Sequence, residues 1–197
     1  MGGRPLAVAI TGGIAAGKTE ALAAFERRGA AVSSADELVH RVYREDASLK
    51  AELRDRWGDR AFGADGEVDR AAVGAIAFAD RSELDWLESV VHPRVVRAHE
   101  EWLDEQLSRP DRAALVVVEI PLLYETGGEA RYDKVVTITA PPSLREQRRG
   151  AFTEREARLI PDDEKLRRAD FAYVNDGTLA ELDAFVAGVV EELASSS

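Results

Sequence analysis

Five short apolar runs, bounded by turn residues or charge, alternate along the chain with segments whose apolar positions recur at helical spacing. Leu6 to Ile10 is the first run, and Lys18 to Arg28 follows it as a helix-like stretch stopped at Gly29. Ala30 to Val32 reads as a second strand, leading through Ser33, Ser34 and Ala35 into a helix from about Asp36 to Tyr43. The pattern then stays helical to about Pro110, over Leu49 to Trp57, Asp69 to Phe78, Ser82 to Val91 and Pro93 to Leu107, with Pro93 dividing the last two. Leu115 to Ile120 and Lys134 to Thr139 are continuous apolar runs, the mark of strands covered on both faces. A helical, arginine-bearing stretch from Leu144 to Arg168 is broken at Gly150 and Pro161. It precedes a last strand at Phe171 to Val174 and an amphipathic helix from Leu179 to Leu193.

This alternation predicts a three-layer α/β/α fold around a parallel sheet. The stretch between the second and third strands is far longer than one crossover helix needs, so it reads as an inserted helical subdomain that walls a second substrate. The expected organisation is a single domain over 1–197. Its sheet-bearing core covers about 1–36 and 111–197, the helical subdomain about 37–110, and a short lid about 145–168. Trp57, Trp86 and Trp102 fall at core spacings of the inserted block and read as packing residues.

The chain has 197 residues and no cysteine, which excludes disulfides, thiolate metal sites and a cysteine nucleophile. The apolar stretch after Arg4 and Pro5 is too short for a signal peptide, and no run approaches the ~20 apolar residues that cross a membrane. A cytoplasmic protein without membrane partners is expected, as a monomer or weak homo-oligomer. The formal charge of -11 argues against nucleic-acid binding, which needs a basic face. Charge is uneven, however: Arg131 to Arg168 carries ten Lys and Arg against seven Asp and Glu. A basic stretch in an acidic chain suits a small phosphorylated ligand, although most of these arginines read as ion-pair formers on solvated helix faces.

The most informative chemistry lies between the first strand and the first helix. Gly12-Gly13-Ile14-Ala15-Ala16-Gly17-Lys18-Thr19 spells glycine, four residues, then Gly-Lys-Thr, the phosphate-binding loop pattern. Glycines let the backbone curl until successive N–H groups point at a phosphate, and the helix amino terminus adds its partial positive charge. Lys18 then reaches the β- and γ-phosphates, and the Thr19 hydroxyl sits on Mg²⁺. Gly12 through Thr19 are therefore the candidate nucleotide-binding residues, with Thr19 the candidate metal ligand.

The loop alone does not separate a kinase from a GTPase, a motor or a binding module. Motors and transporters need more sheet than this length supplies, and no Asn-Lys-x-Asp-like guanine-reading segment is present. A small-molecule kinase remains, in which the loop holds ATP, a carboxylate after the second strand faces the acceptor hydroxyl, and an arginine-bearing lid closes on both. Asp36 is that carboxylate, placed by the pattern at the carboxyl end of the second strand next to the loop. An Asp before a helix also suits an N-cap, and Ser33 or Ser34 would then take over if Asp36 is catalytic.

Several segments resemble, in order, the dephospho-coenzyme A kinase family. They are Ile10-Thr11-Gly12-Gly13-Ile14, Asp36, Leu87-Glu88 with His92-Pro93, and Ile120-Pro121-Leu122-Leu123-Tyr124-Glu125. Asp133-Lys134-Val135-Val136, Gln147-Arg148 and Ala169-Asp170-Phe171 with Asn175 continue the series, so the resemblance runs from about 6 to 193. It implies Mg-ATP-dependent phosphorylation of the ribose 3′-hydroxyl of dephospho-coenzyme A, the last step of coenzyme A synthesis. Asp36, Lys18 and Arg148 are its implied catalytic residues, and Asp36, His92 and Leu122 the candidates for acceptor contact. Asn175 fits either an adenine pocket or a turn before Asp176-Gly177. Glu119, at the end of an apolar strand, fits either a Mg²⁺ water or a structural ion pair.

The chain also departs from that family. Ser34-Ala35-Asp36 stands where the family commonly carries Asp-Ala-Asp, and Ile14-Ala15-Ala16-Gly17 where it shows Ile-Gly-Ser-Gly. A positive φ at Ala15 would strain the loop by about 1 to 3 kcal/mol. The lid is several residues shorter, and Leu159 or Ile160 replaces an expected glutamine. Two other readings stay open: a kinase for another small acceptor, such as a nucleoside, a sugar acid or shikimate, and a catalytically weak nucleotide-binding regulator.

Overall fold

A computed structural model of the chain describes residues 4–109, 113–149 and 159–195. Its elements are β1 (Leu6–Gly12), α1 (Lys18–Glu26), β2 (Ala31–Ser34), α2 (Ala35–Glu45), α3 (Ala47–Trp57), α4 (Arg70–Ala79) and α5 (Arg81–Ser108). They continue as β3 (Leu115–Glu119), β4 (Lys134–Thr139), α6 (Pro142–Arg149), α7 (Asp162–Arg168), β5 (Phe171–Val174) and α8 (Leu179–Ser195). The chain divides into two compact units, Met1–Ser34 with Leu103–Ser197 and Ala35–Trp102.

The first unit is built on a parallel sheet of order β2-β3-β1-β4-β5. Its β-branched runs alternate between two covered faces. On one face Val8, Ile10, Val117, Val136 and Ile138 meet Leu22 and Phe25 of α1 and Leu182, Val186 and Val189 of α8. On the other, Ala9 and Val135 pack with Leu123 and Tyr124 from the segment after β3. Asp183 accepts from both Arg27 and Arg28, which ties α8 to the end of α1.

Strand order positions the loop. β1 lies between β3 and β4, and its connection leaves toward β2 while that of β3 leaves toward β4, so the loop after β1 opens at the point where crossovers diverge. One expectation changes here. β3 intervenes between β1 and β2, so the carboxyl end of β2 lies two strand spacings from the loop, ~10 Å, rather than beside it. Glu119, paired with Ser34 and Ile10, occupies the intervening strand end.

The second unit is helical and has its own core. Leu49, Leu53 and Trp57 form one stripe of α3 and are all buried. Asp46 caps α3 by accepting from Leu49 N–H at 2.9 Å, and Asp69 caps α4 through Ala71 and Ala72. The tryptophans pack as expected: Trp57 meets Trp86 edge-on at 5.1 Å and donates to Glu83, and Trp102 packs against the same cluster. The break anticipated at Pro93 is absent, because α5 is one helix of 28 residues with Pro93 inside. Proline there removes one backbone bond. The apolar face continues on both sides of it through Leu84, Leu87, Val90, Val91, Val95 and Ala98, and that packing carries the helix across.

Leu53 is fully buried in this core. Leu53→Ala is expected to lower stability by about 2 to 5 kcal/mol through lost burial and a residual cavity. Urea unfolding followed by far-UV dichroism measures it, and a midpoint equal to wild type would contradict the packing described.

Candidate functional site

The phosphate loop is a turn wound around its own lysine. Lys18 opens α1, and Gly17 before it adopts a left-handed φ of 100°. A Cβ at Gly17 would lie 2.4 Å from Asn175 Nδ2, so the side chain of Asn175 excludes any larger residue there. Asn175 itself is buried and donates to the Ala16 carbonyl at 2.8 Å, while its N–H holds Thr139 O at 2.7 Å. It thus braces the loop against the end of β4. Ala15 takes φ 56°, the strained case foreseen for a residue with a Cβ.

Lys18 is 7 % exposed. Its Nζ donates to the Gly13 carbonyl at 2.9 Å and lies 3.9 Å from a Glu119 carboxylate oxygen. Burial pushes its ammonium below the usual lysine range, against the opposing pull of Glu119. The positive charges of Lys165 and Arg145 lower it further, and Asp162 raises it. The other Glu119 oxygen accepts from the Thr19 hydroxyl at 3.3 Å. A hydroxyl and a carboxylate side by side are the hard oxygen donors that Mg²⁺ takes when phosphates and water complete its shell.

Around this centre the sheet unit gathers side chains that sequence reasoning missed. Arg145 of α6 pairs with Asp162 of α7 at 3.0 Å, and Lys165, 1 % exposed, pairs with Glu125 at 2.6 Å. The available signal was the three-residue spacing of Arg145 and Arg148, which puts both on one face of α6. Nothing in the sequence marked Lys165 as buried, because it sits in a segment of mostly charged residues from Asp162 to Arg168. Arg148, the arginine that the resemblance implies is catalytic, is exposed and donates to the Ala15 carbonyl at 3.1 Å. Residues 150–158 of the expected lid lie outside the described residues.

The acceptor candidates divide between the units. Leu122, 36 % exposed, lies in the turn after β3 in the sheet unit. Asp36 and His92 belong to the helical unit and are exposed there. Asp36 is the second residue of α2, inside its first turn, so the N-cap alternative falls away. His92 lies within α5, not beside a helix start.

A family model described as dephospho-CoA kinase matches residues 6–181. The chain belongs to the dephospho-CoA kinase family. It is accordingly an enzyme, a P-loop kinase. A dephospho-CoA kinase of Mesorhizobium japonicum is 37 % identical, with 95 % of this chain and 96 % of the relative aligned. The solved dephospho-CoA kinase of Campylobacter jejuni is 27 % identical at a TM-score of 0.71, over 96 % of this chain and 98 % of that one. A shikimate kinase structure from Aquifex aeolicus shares the fold alone, at 12 % identity and a TM-score of 0.51 over 98 % of this chain and all of that one.

Two outcomes follow from the loop. Ala15→Gly removes a left-handed alanine at the cost of unfolded-chain freedom, and the balance is expected to raise stability by up to about 1 kcal/mol. Thermal unfolding checks it, and a lowered midpoint would mean that the alanine methyl contributes packing larger than its strain. Binding of ATP is expected to weaken as alkaline pH strips the Lys18 proton. Because the free-protein pKa is lowered, the loss begins below the ~10.4 of an ordinary lysine. Titration of ATP binding through the alkaline range measures it, and affinity constant to that value would contradict the role of the ammonium.

Proposed function

We propose that this kinase transfers the γ-phosphoryl group of ATP to the ribose 3′-hydroxyl of dephospho-coenzyme A, giving coenzyme A and ADP. Family membership with relatives of that name along nearly the whole chain supports the reading. The observation that carries it is the buried Lys18 ammonium inside a phosphate loop, with the Glu119 carboxylate and Thr19 hydroxyl beside it. Backbone N–H groups of Gly12 to Thr19 hold the phosphates. Asn175 serves the nucleotide through the loop it braces. Thr19, with Glu119 behind it, would hold Mg²⁺, which when bound would neutralise charge on the phosphate oxygens.

The chemistry needs no covalent enzyme intermediate. The acceptor oxygen bonds to the γ-phosphorus as the bond to the β-bridging oxygen breaks, and charge spreads over the transferring group. Lys18, with Arg148 above Ala15, offsets that charge. Asp36 orients the 3′-hydroxyl and takes its proton. Asp36 suffices for this role without a carboxylate at position 34. His92 and Leu122 contribute acceptor contacts, the helical unit serves the acceptor, and the chain works in the cytoplasm.

The test is ADP release with Mg-ATP, with and without dephospho-coenzyme A, and mass analysis of the acceptor. One added phosphoryl group on the 3′-hydroxyl is expected, and Asp36→Asn should lower kcat by about 100-fold or more while ATP binding persists. Turnover with shikimate, a nucleoside or a sugar acid in place of dephospho-coenzyme A would overturn the assignment. So would ATP binding without any transfer, the behaviour of a regulator.

A further inference from the structure

The structure gives α6 a second arginine aimed at the phosphate loop. Arg145 is 14 % exposed at its side chain and lies one helical turn before Arg148. Its Nη2 pairs with Asp162 Oδ2 at 3.0 Å. Its Nη1 comes within 2.7 Å of the point where a Cβ on Gly13 would stand, and Asp162 Oδ1 within 3.4 Å of it. Lys18 reaches Gly13 too, through its carbonyl at 2.9 Å. Two cations therefore converge on one glycine, the second residue of the loop. A Cβ there would push the Arg145 guanidinium aside, so its position over the loop depends on Gly13 lacking a side chain.

The two arginines of α6 have different occupations. Arg148 is exposed and spends Nη1 on a loop carbonyl. Arg145 is mostly buried, with Nη2 on a carboxylate and Nη1 over Gly13. A planar guanidinium engages two acceptors at once on its separate nitrogens, which a lysine does not. The charges sensed at Lys18 are Glu119, Lys165, Asp162 and Arg145, and Lys165 has Glu125 as its counter-ion. Cations and carboxylates are equal in number there, so a polyphosphate needs every positive group aimed at it and the nearby Asp162 carboxylate neutralised by Arg145.

We infer that Arg145 is a second phosphate-binding arginine. Its Nη1 edge meets the β- or γ-phosphate above Gly13, and Asp162 is the positioning carboxylate that fixes the guanidinium there. The inference rests on the reading of this loop as an ATP site, and not on the identity of the acceptor.

Binding of ATP, ADP and AMP, read by displacement of a fluorescent ATP analogue without any acceptor, tests it. Arg145→Ala should weaken ATP and ADP by ~10- to 100-fold and leave AMP unchanged. Arg145→Lys should recover only part of the loss, because a point charge does not serve Asp162 and a phosphate together. Asp162→Ala should weaken ATP less than Arg145→Ala, and the double variant should bind ATP no more weakly than Arg145→Ala alone. Arg167→Ala, which removes an exposed ion pair with Asp163 on the same helix α7, should bind all three as wild type does. Unchanged ATP affinity in Arg145→Ala, or an equal loss for AMP with a parallel drop in thermal midpoint, overturns the inference and leaves a structural tie between α6 and α7. If Arg145→Ala does not fold, full ATP affinity in Arg145→Lys overturns it as well. Wild-type protein that binds ATP but leaves dephospho-coenzyme A unmodified refutes the proposed acceptor and leaves this test intact, whereas failure to bind ATP refutes both.

Discussion

A lysine ammonium buried at the carboxyl end of a parallel sheet sets the terms for everything around it. Taking such a group out of water costs several kcal/mol unless nearby charge and hydrogen bonds compensate. Here compensation is incomplete by design of the chain: Lys18 has one backbone carbonyl at 2.9 Å and a carboxylate only at 3.9 Å. The loop must bend to bring that carbonyl over the lysine, and the bend requires left-handed backbone at Gly17 and Ala15. The bend in turn requires a brace, which Asn175 supplies from the end of β5. Sheet order completes the dependence. Only with β1 flanked by β3 and β4 do Glu119 on one side and the strand-end contacts of Asn175 with Thr139 on the other reach the loop.

The parts of this structure that are local were legible in the sequence. Strand runs such as Lys134 to Thr139 and Phe171 to Val174 were read to the residue, the first because a covered parallel strand is largely β-branched, the second because a short apolar run between Asp170 and Asn175 stands out although its alternate residues are exposed. The loop was legible because its chemistry is contiguous. Pro93 misled for a physical reason: proline disfavours helix at the preceding residue and lacks an N–H, and only the tertiary cluster around Val90, Val91 and Val95 outweighs both. The position of β2 misled too, because chain order does not give strand order, and β3 enters the sheet between β1 and β2 from a point some 80 residues later in the sequence.

The site was legible in proportion to how much of it is sequential. Arg148, like Arg145, Asp162 and Lys165, lies more than a hundred residues from Lys18, and only its place after Gln147 in a segment that resembles the family singled it out. Within a run of ten basic residues nothing marks the ones that face inward, since an arginine on a solvated helix and one over a glycine look alike in the sequence. Burial separates them. Arg167 is exposed and pairs within its own helix, while Lys165, two residues earlier, is among the most buried side chains in the chain.

Net charge and local charge answer different questions in this protein. A formal charge of -11 repels polyanions at long range, but salt screens such fields beyond ~8 to 10 Å at physiological strength. On the proposed function, inside that distance the loop meets a phosphate with Lys18, the amide groups at the start of α1, and Arg145 and Arg148 of α6, set over Gly13 and Ala15. Each cation already has a partner, Lys18 a carbonyl, Arg145 Asp162 and Lys165 Glu125, and of the three only Lys18 is left with its buried charge incompletely compensated. The commitments are unequal in kind. A carbonyl is a weaker partner for an ammonium than a phosphate oxygen, whereas the carboxylates are full charges. Lys18 therefore gains most when a phosphate arrives, and Arg145 and Lys165, tethered to carboxylates, keep their positions while it does. An acidic chain can in this way recognise a more acidic ligand through a few cations whose partners hold them still.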